Sequence, residues 1–341
     1  MRDALTFHVL RITPVANSAN IATEIFSQPQ TTLFSKQAST TMKRAVSVSL
    51  GSSKRNKQVV IHFDETPIRV ERIGTDGDPD KARQLFAALD GKVDALGVGG
   101  VELYLRLGDR EYPLRSGLQL VRDVKQTPAV DGRGLKHTLE RRVFELAADQ
   151  LGGMPHYERA FFTLGVDRYG MAQAVAEVAD EVIFGDLMFA LGIPIPVKGL
   201  GNLERLGRIL LPIVSKLPIS MVYPTGEKQE TIEPRYEKYW ARADLIAGDF
   251  LYIRKHMPDD LTGKDILTNT TTEEDVALLK ARGVRWLITT TPRYEGRSFG
   301  TNMMEAALTA YAGKGRALTT EELNDLIDRL HLRPHVQRLN P

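Results

Sequence analysis

The segment TLGVDRYGMAQ, residues 163–173, decides the fold, because it predicts the end of a buried strand that turns directly into a helix. Gly165 and Gly170 bracket the turn. A dinucleotide-binding turn has the spacing G-x-G-x-x-G, in which the second glycine lets pyrophosphate approach the backbone. Asp167 stands at that place here. The strand, turn and helix therefore match a mononucleotide-binding unit, while the glycine fingerprint itself is only partial.

Outward from this segment, short apolar or β-branched runs alternate with amphipathic stretches from Arg44 onward. This alternation is typical of parallel sheets joined by crossover helices. We therefore predict an α/β protein with two Rossmann-like lobes, mostly parallel sheets and a cleft between them. Strands are predicted at 44–50, 58–63, 68–73, 93–98, 127–130, 160–165, 181–185, 244–247, 265–268 and 285–290. Helices are predicted at 78–91, 133–153, 170–179 and 319–332, with a hairpin at 102–114.

The predicted organisation has four parts. Residues 1–41 are rich in Ser, Thr, Gln and Asn without a sustained period, which predicts a flexible tail, or a true translation start at Met42. Residues 42–150 form the first lobe and residues 151–318 the second. Residues 319–341 form a C-terminal helix and tail, and the helix would dock either on a lobe or on a second subunit of a homo-oligomer.

Composition excludes several classes of protein. The 341 residues are 42% hydrophobic and 26% charged, as is usual for a globular protein. Forty-five basic and 43 acidic residues give a net charge of +2, which argues against a nucleic-acid partner. The absence of cysteine excludes disulfides and thiolate chemistry, and a cytoplasmic location is expected. The most apolar segment, 208–224, is interrupted by Pro212 and Pro218, so it predicts a buried or cleft-covering helix and turn rather than a membrane span.

Polar residues follow most of the predicted strands. In open parallel sheets the ligand crevice lies outside the carboxyl ends of the strands, so these residues are candidate substrate contacts. They include Ser49 and Ser52 in the first lobe and Asn269, Thr270 and Thr291 in the second. Any one of them is explained equally well as a turn former or helix cap. Their number at one predicted edge is what favours a polar binding cleft.

The stretch TTTPRYEGRSFGTNMMEAAL, residues 289–308, predicts an anion site. Its glycines and proline make an irregular loop, and a helix begins near Thr301 or Asn302, of which Asn302 is a further candidate substrate contact. Arg293 and Arg297 stand beside that helix start, where guanidinium groups and free N–H groups favour a carboxylate or phosphate. The alternative is that both arginines pair with Glu295 and other surface acids.

Five residues of the opening turn and its surroundings are candidates for binding a nicotinamide cofactor. Asp186 lies about 20 residues after Gly165, where a ribose-binding carboxylate falls in such folds. Asp167 would place a negative charge beside pyrophosphate, and Arg168 would have to offset it. Gly165 and Gly170 would shape the turn.

A second cluster, at the start of the predicted helix 133–153, offers proton transfer. Asp131, Lys136 and His137 lie close together in the sequence, and desolvation could bring the pKa of the lysine or histidine near neutrality. A solvated lysine and a packed histidine are the alternative. The seven histidines show no metal-binding spacing, so the sequence predicts no metal site of the zinc type.

Several motifs resemble one family over residues 42 to about 313. They are KRAVSVSLGSSKR, RIGTDGD, VDALGVGGVELYL, VDGRGLKHTLERR, GDLMFALGIPIP, YPTGEKQE, LTNTTTEEDVALLKARGV and TTTPRYEGRSFGTNMMEA. Together they are similar to bacterial proteins named quinate 5-dehydrogenase. The resemblance implies NAD- or NADP-dependent oxidation of a cyclic polyhydroxy acid such as quinate or shikimate. It further implies that 161–186 holds the cofactor, Arg293 and Arg297 the substrate carboxylate, and Lys136 with Asp131 the transferred proton.

Two other functions stay open at this point. The first is a two-lobed binding or sensing protein that closes on a small anionic metabolite and has no affinity for nicotinamide. The second is a non-redox lyase or transferase that uses Mg²⁺ held by Asp167, Asp186 and Asp249.

Overall fold

A computed structural model of the chain describes residues 42–217, 231–294 and 297–341, all within one unit, Thr40–Pro341. The predicted tail at 1–41 lies outside the described residues. So do the end of the predicted apolar segment, at 218–224, Glu295, and the side chain of Arg297.

The first sheet has five strands in the order β2-β3-β1-β4-β7. They are β1 (Lys43–Ser49), β2 (Lys57–Phe63), β3 (Thr66–Gly74), β4 (Ala95–Gly99) and β7 (Ala129–Val130). All neighbours are parallel except β2, which pairs antiparallel with β3 at the edge. The predicted hairpin is present as β5 (Tyr104–Leu107) and β6 (Arg110–Pro113), and two helices, α1 (Pro79–Leu89) and α2 (Arg115–Leu120), belong to the same part of the chain.

The second sheet has seven strands in the order β10-β9-β8-β11-β12-β13-β16. They are β8 (Tyr157–Phe162), β9 (Ala179–Phe184), β10 (Val197–Lys198), β11 (Leu245–Ala247), β12 (Asp265–Thr268), β13 (Trp286–Thr289) and β16 (His335–Arg338). The five central strands are parallel, and the edge strands β10 and β16 are antiparallel. The prediction of an α/β fold with two Rossmann-like lobes and mostly parallel sheets is confirmed.

The helices of the second half follow the strands. They are α5 (Tyr169–Val178), α6 (Asp186–Ala190), α7 (Leu200–Val214), α8 (Glu237–Arg242), α9 (Phe250–His256), α10 (Glu273–Ala281), α11 (Thr301–Ala312) and α12 (Thr320–Arg329). A two-stranded ribbon, β14 (Arg293–Tyr294) with β15 (Arg297–Ser298), lies in the predicted irregular loop. Of the helices that the structure describes, none has the length and apolar content that crossing a membrane requires.

The predicted helix at 133–153 is two helices, α3 (Arg133–Lys136) and α4 (Val143–Leu151). The break arises because the N–H of Glu140 donates to the carbonyl of Leu135, five residues back, at 3.0 Å. Such a widened turn interrupts the regular α-helical ladder. The break leaves the Glu140 carboxylate fully buried against Arg168.

Helix α10 begins with a capping box. Thr272 caps α10, and Asp275 supplies the reciprocal carboxylate. Thr271 is held instead by the loop, because its N–H donates to Ser298 Oγ at 2.9 Å.

Helices α11 and α12 pack on the first sheet, although their sequence follows that of the second. Met304 and Leu323 share one core cluster with Ile61 of β2 and Ile68 of β3. The chain then returns to the second sheet as β16. This packing crosses the predicted boundaries at 150 and 318, which remain predictions of domain limits.

Candidate functional site

Both sheets present their topological switch points to one cavity of about 410 Å³. In the second sheet the chain leaves β8 toward β9 and leaves β11 toward β12, so a crevice opens between β8 and β11. The first sheet has the same arrangement at β1 and β4, and Gly99 at the end of β4 lines the cavity together with Gly100 after it. We call this cavity between the two sheets the cleft.

Half of the sequence-predicted site residues line the cleft. They are Asp131, Lys136, Asp167, Arg168, Asp186, Asn269, Thr270 and Asn302. Asp249, named for the magnesium alternative, lines it too. Those that do not line it are Ser49, Ser52, His137, Gly165, Gly170, Thr291 and Arg293.

Arg168 is the centre of the second switch point. It is only 3% exposed, and its Nη2 lies 2.7 Å from Asp249 Oδ2. Its Nη1 pairs with Glu140. Asn269 Nδ2 donates to the same Asp249 carboxylate at 2.8 Å. Arg168 therefore joins the turn after β8, the turn after β11 and the break between α3 and α4 through one guanidinium group.

Lys136 connects the two lobes. Its ammonium group is buried, pairs with Glu102 of the first lobe, and lies 3.2 Å from Asp167 Oδ1 of the second. Burial lowers the pKa of Lys136, while the Asp167 charge opposes that shift. Burial by itself would raise the pKa of Asp167, but the Lys136 and Arg168 charges hold it below its ordinary value. The lysine is thus a positioned cation between two carboxylates, and its predicted role in proton transfer remains a prediction.

The other two predicted catalytic residues have mainly structural contacts. Asp131 accepts hydrogen bonds from the N–H groups of Leu103 at 2.7 Å and Arg133 at 3.0 Å, so it fixes the turn before α3. His137 lies outside the cleft lining. Burial, with the nearby charges of Arg106 and Lys136, lowers the pKa of His137 to about 3, so its imidazole is neutral at pH 7.

The glycines of the opening segment are closed off by protein atoms. A Cβ on Gly165 would lie 2.6 Å from Phe184 Cδ1, and a Cβ on Gly170 would overlap the carbonyl oxygen of Lys136. Both glycines are therefore required for packing. The N–H of Gly165 also donates to Asp186 at 2.9 Å, so this backbone donor has a partner within the protein.

Asp186 is likewise engaged by the protein. Its two carboxylate oxygens accept the N–H groups of Gly165 and Val166, each at 2.9 Å. Burial raises its pKa to about 6, although these hydrogen bonds oppose the shift. The carboxylate at the predicted ribose position thus shapes the turn after β8.

The predicted substrate contacts outside the cleft each have a structural partner. Ser49 Oγ accepts Arg72 Nη2 at 3.1 Å, and Ser52 Oγ accepts the N–H of Lys54 at 3.2 Å. Thr291 Oγ1 donates to the Phe299 carbonyl at 2.6 Å. Arg293 Nη1 donates to Gln337 Oε1 of β16 at 3.2 Å, so this guanidinium is directed to the edge strand and does not reach the cleft.

Asn302 seats the start of α11 in the first lobe. Its Nδ2 donates to Ser47 Oγ of β1 at 2.7 Å. Gly132 has a φ of +93°, and a Cβ there would lie 2.6 Å from the Asn302 nitrogen. One turn later, Glu305 Oε2 accepts the N–H of Leu135 in α3 at 3.4 Å. The cleft edge of the first lobe is therefore built partly by a helix that the sequence assigned to the second.

Glu305 gives a prediction about pH. Burial, with the nearby Asp131 charge, raises the pKa of Glu305 to about 8, while Arg133 and the α3 N–H groups oppose the shift. Because the folded pKa lies above the unfolded value, the protonated carboxyl stabilises the fold below about pH 4.5. That stability falls as the pH rises toward 8, by at most about 1.4 kcal/mol per pH unit.

Glu305→Gln is accordingly expected to flatten the dependence of the free energy of unfolding on pH. Chemical denaturation at about pH 5 and about pH 8 should show the variant gaining relative to the wild type at the higher pH. Two parallel profiles would contradict the assignment of this titration to Glu305.

Sequence reasoning missed several cleft residues. Glu102 lies just before β5 and Arg55 just before β2, and neither belongs to a recognised binding motif. Lys255 lies on α9. Leu206 and Leu210 lie on α7, whose start was not predicted. The apolar spacing at 203, 206, 207, 210 and 211 was the signal that would have revealed this helix.

The acids of the cleft lining are all engaged by protein groups. Beyond those described above, Asp275 accepts the N–H of Thr272 at 2.9 Å and lies 3.5 Å from Arg254 Nη1. Among the described residues no group of three or more His, Asp or Glu side chains forms a potential metal site. Asp167, Asp186 and Asp249 thus have cationic or N–H partners and do not form the cluster that the magnesium alternative requires.

The cations of the lining are less completely balanced. Arg168, Lys136 and Arg254 face carboxylates. Arg55 and Lys255 are half-buried, one from each lobe, and neither forms an ion pair within residues 42–217, 231–294 and 297–341. The cleft therefore has spare positive charge on both sides.

Comparison with solved structures finds several proteins of low similarity. The glucose-galactose binding protein GanP from Geobacillus stearothermophilus is 10% identical, with a TM-score of 0.35 over 87% of this chain and 98% of that one. A galactofuranose binding protein is 11% identical, with a TM-score of 0.35 over 87% and 95% of the two chains. A Mycobacterium smegmatis protein in complex with β-D-fucofuranose is 11% identical, with a TM-score of 0.31 over 87% and 99%. No curated protein matches the sequence significantly.

Two family models match the sequence. A domain of unknown function, DUF8753, matches residues 44–131, which hold the first sheet up to β7. A second domain of unknown function, DUF8754, matches residues 134–339, from α3 to β16. Since the second match covers more than half of the chain, this protein belongs to the DUF8754 family.

Proposed function

We propose that this protein binds a small organic anion in the cleft between its two lobes. The observation that carries the proposal is the unbalanced pair Arg55 and Lys255, which extend one cation from each lobe into the same cavity. The cavity volume of about 410 Å³ is within the range of roughly 300–1,000 Å³ that is usual for small-molecule sites. An anion that contacts both side chains would favour closure of the lobes.

The buried ion pairs of Arg168 and Lys136 form the floor of the proposed site. We expect the anion to bind next to them without breaking them. Arg168 is ion-paired with Glu140 and Asp249, and Lys136 with Asp167 and Glu102, so these two cations are occupied and form a rigid polar base. Asn269 and Thr270 lie beside this base and can donate or accept hydrogen bonds. The fixed groups thus orient the ligand, while the two spare cations supply net attraction.

Charge removal tests the proposal. Arg55→Gln and Lys255→Gln should each weaken binding of an anion about five- to tenfold, because a charge-assisted contact contributes roughly 1–1.5 kcal/mol. Isothermal titration with quinate, shikimate, gluconate and citrate would measure the dissociation constants. Lys54→Gln is the matched control, since Lys54 is exposed, adjacent to Arg55 and outside the cleft lining. Equal affinity in all three variants, or no binding by any anion, would overturn the proposal.

A separate titration with NAD⁺ and NADP⁺ tests the dehydrogenase hypothesis, which remains a prediction. Saturable binding of NAD⁺ or NADP⁺ that weakens in Asp186→Ala would support it. Binding of an organic anion without binding of either dinucleotide would support the binding-protein hypothesis over the dehydrogenase hypothesis.

A further inference from the structure

Part of the cleft lining is aliphatic. Leu206, Leu210 and Val214 of α7 line the cavity, together with Leu164 after β8. The aliphatic surface extends to Leu191, which also lines the cavity and is 48% exposed. These side chains offer no hydrogen-bond donor or acceptor to a ligand.

Helix α7 is fixed in position by close packing on both lobes. A Cβ on Gly207 would lie 2.5 Å from Leu107 Cδ2 of the first-lobe hairpin. A Cβ on Gly165 would lie 2.7 Å from Leu203 Cδ2 of α7, and Tyr169 of α5 donates its hydroxyl to Glu204. The aliphatic side of the cleft is therefore a preformed wall, which we call the α7 wall and define as Leu206, Leu210 and Val214.

The α7 wall restricts the ligand. A hydroxyl group placed against it would lose its hydrogen bonds to water without replacement, at a cost of about 1–3 kcal/mol. A saturated hydrocarbon placed there would bind favourably, because the contact removes apolar surface of both the ligand and the wall from water. The cations Arg55 and Lys255 and the α7 wall thus select different parts of one molecule.

We propose that the ligand is an amphipathic organic anion, with its carboxylate or phosphate at Arg55 and Lys255 and a saturated aliphatic part against the α7 wall. This inference rests on the proposed function and specifies its ligand class. A fully hydroxylated sugar acid binds more weakly than an alkyl carboxylate of similar length.

A homologous series tests the inference. Isothermal titration of the full chain with butanoate, hexanoate and octanoate should show the dissociation constant falling about fourfold for each added methylene that is buried. Gluconate, which has hydroxyl groups along its whole length, serves as the hydrophilic probe of the anion site. If gluconate binds and chain length has no effect, the amphipathic ligand class is overturned while the proposed function stands. If no alkyl carboxylate binds but gluconate, quinate, shikimate or citrate does, the amphipathic ligand class alone is overturned. If none of these anions binds, both fall.

A variant of the wall separates its effect from that of the charges. Leu210→Asn should weaken octanoate binding about tenfold or more and leave gluconate binding within about twofold. Ile195→Asn is the control, because Ile195 is 56% exposed and lies outside the cleft lining. An equal loss for octanoate and gluconate in Leu210→Asn would overturn the assignment of the α7 wall to the aliphatic part.

Discussion

Arg168→Met is expected to lower the free energy of unfolding by about 3–5 kcal/mol, the range for breaking a buried ion pair. The guanidinium group has a side-chain exposure of 4%, and it faces Glu140, with 0%, and Asp249, with 19%. Methionine fills a similar volume but removes the charge, so it leaves two carboxylates without their cation. Urea denaturation followed by circular dichroism would measure the loss.

Arg141→Met is the matched control for this prediction. Arg141 is the same residue type, and it pairs with the exposed Glu177, with side-chain exposures of 35% and 55%. Its loss should cost less than about 1 kcal/mol, because water screens and replaces exposed ion pairs. Equal effects of the two substitutions would contradict the view that Arg168 compensates buried charge.

A second measurement separates lost charge from lost packing. Burial raises the pKa of Glu140, and the charges of Arg168 and Lys136 oppose this shift, so removal of Arg168 removes the larger of the two opposing contributions. The unpaired carboxyl of Arg168→Met should therefore bind a proton at higher pH than the wild-type carboxyl does. The stability deficit of the variant should shrink as the pH is lowered from about 8 to about 5. A deficit that is independent of pH would indicate packing alone.

The sequence allowed the sheets to be predicted because parallel strands that are buried on both faces are short apolar runs. All ten predicted strands correspond to observed ones, within a few residues at either end. Strands β10 and β16 were not predicted, since each is a short antiparallel edge without a long apolar run. The predicted helix at 133–153 was too long, because periodicity does not show that Glu140 turns inward to meet Arg168.

The candidate site was predictable only in part, for a related reason. Residues that directly follow central strands, such as Asp167, Arg168 and Asn269, were placed correctly at the cleft edge by topology alone. Arg293 lies outside the cleft lining, because its direction depends on β16, which pairs with β13 and supplies Gln337. Lys255 was missed because it lies beyond the first turn of α9. Sequence position thus predicts which strand ends lie at a site. The direction of a long side chain depends on contacts with residues that are distant in the chain, so it was not predictable.

Gly170→Ala is expected to lower the free energy of unfolding by about 3 kcal/mol, although alanine is the better helix former. Position 170 is in the first turn of α5, and the added methyl would overlap the carbonyl oxygen of Lys136. Its other close neighbours, Lys136 C at 3.0 Å and His137 Cα at 3.3 Å, are also backbone atoms that cannot rotate away. Helix α5 would have to move from α3, and Arg168 would move with it.

Gly201→Ala is the control that makes this result interpretable. Gly201 is also in the first turn of a helix, α7, but no atom lies within 4 Å of the position of its Cβ. Alanine there should stabilise the protein by about 0.5–1 kcal/mol, because it restricts the unfolded chain. Gly170→Ala should in addition weaken anion binding, whereas Gly201→Ala should not. If Gly170→Ala were as stable as the wild type, α3 and α5 would not be in this contact, and the glycine would again be available to a dinucleotide. The expected loss would instead mean that Gly170 is required for the close packing of α5 on α3, and that the turn at 163–173 serves to position Arg168 in the cleft.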